Sequence, residues 1–214
     1  MKRICLFAVL MMLSLPLAAH AAPATHSHAA AAPQPVAASA SDVVRNFYAT
    51  LVDSMKQGDQ IGFAGRFKKL DPAVKAAFDM PTMTRFAVGS VWTKATPDEQ
   101  QQLISAFSDF STANYASQFK AYNDEQFEVV DEKPSPGGVI VETTLTPKGA
   151  APVALNYMMH KDDKGNYRIV DVYLNGTISQ LATRRSEFNA IVDRDGIPAL
   201  VNSLDEKSKQ MGPS

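Results

Sequence analysis

The chain has 214 residues, 45% of them hydrophobic and 20% charged, and its 21 basic and 22 acidic residues leave a formal charge of −1. That balance suits a folded globular domain, and with no Lys/Arg cluster it excludes the electrostatic footprint of a nucleic-acid binder. The lone cysteine, Cys5, excludes a disulfide framework and a cysteine metal site.

Residues 1–21 read as a cleaved secretory signal peptide. Lys2 and Arg3 form a positive start, Ile4 to Leu17 an apolar run, and Ala19-His20-Ala21 a small-residue cleavage site. The run is short for a membrane span of roughly 20 residues, so an exported, soluble protein is expected. Losing Lys2 and Arg3 takes the basic count from 21 to 19 against 22 acids, a charge near −3. Residues 22–40 are rich in Ala and Pro and almost uncharged, which predicts a disordered linker. His20, His26 and His28 fall in these two segments, where a flexible tract offers no fixed geometry for a metal.

A single domain is expected over 41–206, with a flexible tail at 207–214. Ser41 caps a helix from Asp42 to about Gln57, with Val43, Phe47, Leu51 and Met55 in one stripe widened by Val44, Tyr48 and Val52. Gly58 ends it. Shorter helices are expected at about 61–70, 72–78 and 81–91. Thr96 is an N-cap, Pro97 takes the first helical position, and Glu99 completes a capping box. Leu103, Phe107 and Phe110 then share one face of a helix running to about Ala121.

From Phe127 the period changes to two. Four strands are predicted, around Phe127–Val130, Val139–Thr146, Val153–His160 and Tyr167–Leu174, joined by turns at Pro134–Gly138 and Asp162–Asn166. The odd-numbered positions carry the larger apolar side chains and are assigned to the inner face. Strand four departs from this, because Val170, Val172 and Leu174 are as apolar as Ile169 and Tyr173. Asp171 falls inward and needs a partner, for which Arg184 or Arg185 is the candidate. After Asn175-Gly176, Thr177 or Ser179 caps a helix with Ile178, Leu181, Phe188, Ile191 and Val192 on its apolar face. Asp195-Gly196 breaks it before a last helix through Leu200, Val201 and Leu204.

The order predicts an α+β fold: a curved four-stranded antiparallel meander wrapped by helices, cone-like, with an interior that is either filled core or apolar cavity.

Two blocks carry a family resemblance. The first is Phe86–Gly89, Trp92, Ala95-Thr96-Pro97, Phe107 and Phe110. The second is Tyr167–Ser179, then Arg184-Arg185, Glu187-Phe188, Gly196, Leu200 and Leu204. Together they resemble the toluene-tolerance / MlaC family of periplasmic lipid-binding proteins, over roughly Asp42 to Leu204. Tyr167 stands where that family often has Trp, and Asn175-Gly176 where Glu-Gly is common. The run from Asp171 to Phe188 looks more like the hopanoid-biosynthesis-associated, HpnM-like branch.

The resemblance implies a monomeric periplasmic carrier without cofactor or metal, an auxiliary component of an ABC lipid transporter. Its ligand would be a phospholipid or a hopanoid. Its partners would be an inner-membrane ABC transporter complex and an outer-membrane lipoprotein complex. It implies an apolar lining from Phe86, Leu103, Phe107, Phe110, Val141 and Leu145, with Leu155, Tyr157, Met159, Ile169, Tyr173 and Leu181. Arg184 and Arg185 would meet a headgroup at the mouth. Taken singly, each of these residues reads as ordinary core.

Two other readings stand beside the carrier. One is an enzyme of the cone-shaped isomerase or hydratase type, with Asp171 as base beside Tyr157 and Tyr173. It is disfavoured because no nucleophile elbow, zinc motif, P-loop or dinucleotide fingerprint is present, and because His160, the only histidine in the domain, falls on a polar face. The other is a protein-interaction module without ligand.

Overall fold

The computed structural model describes residues 38–212, so the signal-peptide and most of the linker assignments lie outside the described residues. Helix α1 spans Ala40–Ala77, α2 Met80–Val88 and α3 Pro97–Gln118. Strands β1 (Gln126–Ser135), β2 (Gly138–Thr146), β3 (Val153–Lys161), β4 (Tyr167–Leu174) and β5 (Ile178–Ser179) follow, and α4 (Gln180–Met211) closes the chain. The sheet is antiparallel, open and in sequence order, with β1 and β5 at its edges. The fold is α+β as expected, with a two-residue fifth strand too short to leave a periodic signal.

Helix α1 begins two residues earlier than the sequence suggests. Ser39 is its cap and Asp42 answers it in a capping box. Ser41 is instead buried, and its N–H and hydroxyl both donate to Glu132 Oε2, at 3.1 and 2.8 Å. Gly58 breaks the helix at φ +37°, as expected, and Gly62 turns it again at φ +60°. The two separate helices expected between 61 and 78 form one run with Pro72 inside it. Buried Arg66 braces this bend by donating to the carbonyls of Gly58 (3.0 Å) and Ala116 (2.9 Å), an arrangement that satisfies two helix-end acceptors.

Asp79 caps α2, which gives way at Val88 to a 3₁₀ turn over Gly89–Thr93. The Thr96 capping box starts α3 as predicted, but the helix stops at Gln118 rather than near Ala121. Ser179 caps α4, and Gly196 bends it at φ +80°. Residues 207–211, expected as a flexible tail, continue the helix because Met211 packs against the core.

Two register shifts decide which side chains face the helices. In β1 the shift lies between Val129 and Asp131, leaving Val130 exposed. Before it, Phe127 and Val129 point inward; after it, Glu132 lies opposite Val141 and reaches Ser41. In the β3–β4 ladder the shift lies at Met158/Met159. Met159 therefore faces Ile169, while Tyr157 faces Val172 and Leu155 faces Leu174. The odd-inward rule holds through Ile169 and then reverses, which is why β4 is apolar at both parities.

Helix α3 packs on both α1 and α4, and α1 covers the inner face of β4 and β1. The Asp79 N–H donates to the Ile169 carbonyl (2.9 Å), hooking the α1–α2 connection onto β4. Among the described residues, no helix is long and apolar enough to cross a membrane.

Candidate functional site

Between the inner face of the sheet and the helices lies a cavity of about 230 Å³. Leu155, Tyr157, Val172, Leu174 and Phe127 form its sheet wall. Helix α1 contributes Tyr48, Leu51 and Val74, Phe78 follows at its C-cap, and α2 adds Met83. Helix α3 and its cap supply Phe107, Phe110, Tyr115 and Phe119, and α4 supplies Leu181. Ser111, Asn114, Gln118, Gln180 and Arg184 make the polar part of the lining, between α3 and the start of α4.

The deep end of the cavity is aromatic. Phe107 meets Phe188 edge-on, with centroids 5.1 Å apart, and Tyr48 meets Tyr157 at 5.8 Å. The hydroxyl of Tyr48 lies 2.6 Å from Thr143 Oγ1, whose own proton goes to the Leu155 carbonyl, so Tyr48 donates. Burial pushes the Tyr48, Tyr115 and Tyr157 phenols above their ordinary value. They stay neutral at physiological pH, and the floor of the cavity carries no charge.

Only two lining residues are charged, Asp171 and Arg184. Asp171 does not pair with an arginine. Its Oδ2 accepts from the Ser179 hydroxyl (2.5 Å), and its Oδ1 from the N–H groups of Leu181 (3.0 Å) and Val172 (2.7 Å). The carboxylate therefore ties the first turn of α4 to β4, using donors that a helix start leaves free. Arg184 pairs with Glu187 (2.7 Å) and lies over the Phe110 ring, 5.1 Å from its centroid. Its guanidinium is the cationic group of the rim.

The residues expected to line a pocket divide into three groups. Phe107, Phe110, Leu155, Tyr157 and Leu181 line the cavity, with Arg184 at its rim. Leu103, Val141, Met159 and Ile169 are fully buried in solid core, and Leu145 is half-buried opposite Phe127. Phe86, Arg185 and Tyr173 lie elsewhere. Phe86 is 46% exposed, and the Arg185 guanidinium covers its ring at 4.8 Å and donates to its carbonyl. Tyr173 is turned away because the register shift brings its neighbours Val172 and Leu174 to the inner face.

Tyr48 and Leu51 were visible as part of the α1 stripe, but nothing in the spacing says which part of that stripe adjoins a void. Tyr115, late in α3, and Phe119, its C-cap, lie beyond the Leu103–Phe110 stripe. His160 sits at the outside of the sheet, its Nε2 2.7 Å from Asp79 Oδ2. Among the described residues, no group of three His, Cys, Asp or Glu side chains is placed to hold a metal ion.

Comparison with known proteins agrees with this architecture. No curated protein matches the sequence. A phospholipid-binding protein from Ralstonia solanacearum, solved in complex with a phospholipid, has a similar fold at a TM-score of 0.70 and 24% identity. The similarity covers 81% of this chain and 99% of that one. The model of the MlaC protein family matches residues 45–206, most of the described fold, and on that match the chain belongs to the MlaC family.

Proposed function

We propose that this protein binds a lipid by its acyl or polycyclic hydrocarbon portion in the cavity beneath the sheet. It carries that lipid through the periplasm between inner and outer membranes, as the auxiliary component of an ABC transport system. The observation that carries the reading is the cavity itself: walled mostly by apolar and neutral aromatic side chains, polar along one side, with the Asp171 carboxylate tied into the start of α4 and Arg184 at the rim.

The chemistry of transport explains the need for such a site. Each methylene exposed to water costs about 0.8 kcal/mol, so a 16-carbon chain costs on the order of 12 kcal/mol in transit. A dry cavity walled by Phe107, Phe110, Leu155 and Leu181 offsets that cost. Membership of the MlaC family and the phospholipid held by the Ralstonia solanacearum protein support a lipid ligand. The ligand is a phospholipid or a hopanoid. Arg184 suits a phosphate, because a guanidinium offers several donors to its oxygens. A catalytic role for Asp171 is disfavoured, since three donors already occupy its carboxylate.

Mass spectrometry of organic extracts from natively purified protein tests the reading and names the ligand. Bound phospholipid or hopanoid is expected. Protein that is repeatedly empty, and that stays empty after incubation with lipid vesicles, overturns it.

A further inference from the structure

We propose that an open groove on the far side of Tyr48 and Phe127 receives the distal end of an acyl chain, and that these two rings form a partition that parts when a two-chain lipid loads. The inference rests on the lipid-binding reading above. It starts from a mismatch of size. The inner cavity holds about 230 Å³, whereas sites enclosing drug-sized ligands run roughly 300–1,000 Å³, and a two-chain lipid is larger than these.

A second groove of about 680 Å³ lies between α1 and β1. Its floor includes Ala49, Val52, Tyr122 and Val129. Tyr48 and Phe127 line both spaces, so the wall between them is one layer of side chains thick. The two rings meet with centroids 5.0 Å apart at 51°, a contact without a hydrogen bond across it.

The two leaves of the partition are held differently. Tyr48 is buried, and its hydroxyl is anchored to Thr143. Phe127 is half-buried on an edge strand, one residue into it, and the hydrogen-bonded tie of that strand to α1, Ser41 to Glu132, lies beyond the bulge at Val130. Phe127 is therefore the leaf that moves. Arg45, Asp53, Lys56, Glu125 and Glu128 also line the groove, with Lys56 over the Tyr122 ring at 5.2 Å, and keep its rim hydrated. Continuity with the inner cavity through Tyr48 and Phe127, with the apolar strip of Ala49, Val52 and Val129 running on from them, selects a chain end as occupant over a headgroup.

The test uses vesicles of phosphatidylcholine bearing two bromine atoms near the end of one acyl chain. In a Cys5→Ser background, Val52→Cys carries a bimane fluorophore in the outer groove, and Ala49→Cys, at an exposed position, serves as a second site. Uptake of the brominated lipid is measured separately by mass spectrometry. Loading accompanied by loss of most bimane emission at both positions is the expected result, whereas vesicles of the unbrominated lipid should load equally without that loss. Loading without quenching overturns the proposal, leaving the groove to another occupant such as a partner's peptide segment, while the lipid-binding reading survives. Absence of loading overturns both.

Discussion

The guanidinium of Arg184 lies over the ring of Phe110, 5.1 Å from its centroid, so one side chain joins the cavity's apolar wall to its charged rim. The same guanidinium is held by Glu187 at 2.7 Å, on the same helix face. On the proposed reading, a cation fixed this way is pre-positioned where a bound lipid passes from chain to headgroup. Partial exposure keeps its pairing with Glu187 weak, worth about 0–1 kcal/mol, so a phosphate can compete for it.

Replacing that cation should therefore affect binding more than folding. Arg184→Ala is expected to weaken retention of an anionic phospholipid by roughly 10–100-fold, the equivalent of a charged hydrogen bond of about 1.5–3 kcal/mol. Thermal unfolding of the empty protein should change little. Equilibrium binding from vesicles with and without anionic lipid checks this, and equal loss for both lipid types would remove the headgroup role.

Filling the cavity should separate void from core. Leu155→Trp adds bulk to a half-buried lining position and is expected to reduce lipid loading severalfold at a stability cost under about 1 kcal/mol. Val141→Phe adds bulk where packing is complete and should cost about 1–3 kcal/mol. Urea denaturation of the two variants, paired with lipid quantification, provides the comparison.

Asp171→Ala should behave as the loss of a structural tie. The Leu181 N–H, the Val172 N–H and the Ser179 hydroxyl all lose their acceptor, at a cost of about 1–3 kcal/mol. Hydrogen exchange should rise first in the opening turn of α4. A variant of unchanged stability and exchange would show that the carboxylate serves some other purpose.

Much of this arrangement was legible in the residues. The Thr96–Glu99 capping box, the breaks at Gly58 and Gly196, and the alternation in β2 and β3 each act through local chemistry within a few residues. What stayed hidden depends on contacts far apart in sequence. The reversal of parity after Ile169 comes from a register shift against Met158/Met159, and it exchanges Tyr173 for Val172 and Leu174 at the cavity. Arg66 reaches carbonyls at Gly58 and Ala116, and no spacing rule pairs them. Leu103 and Phe107 share a helix face, yet one sits in solid core and the other beside a void, a distinction set by what lies opposite.

The same Arg66 offers a test of the bend in α1. Arg66→Met removes two donors and leaves two buried carbonyls unpaired, which should destabilise by about 1–3 kcal/mol per group left unsatisfied. Chemical denaturation measures the loss, and a neutral result would mean that water takes over both acceptors.

The β3–β4 hairpin gives a pH signature. Asp162 is held at about 2, below its ordinary 3.8, chiefly by the Asn166 N–H, with desolvation opposing and Arg168 and the Lys164 N–H reinforcing. A carboxyl depressed in the folded state contributes stability that is complete above its unfolded value and is lost as pH falls through the folded one. Asp162→Asn should therefore flatten the acid limb of stability between about 3.8 and about 2, leaving the variant less stable at neutral pH, where the carboxylate contributes in full, and the two proteins alike below about 2. An acid limb identical to that of the unaltered protein would contradict this role.

The most direct test of lipid carriage is the intact mass of the natively purified protein, measured under non-denaturing conditions. A carrier should show a discrete added mass equal to one bound lipid, absent after solvent extraction and restored by incubation with phospholipid or hopanoid vesicles. A protein that shows only its bare mass before and after that incubation does not carry lipid in this cavity.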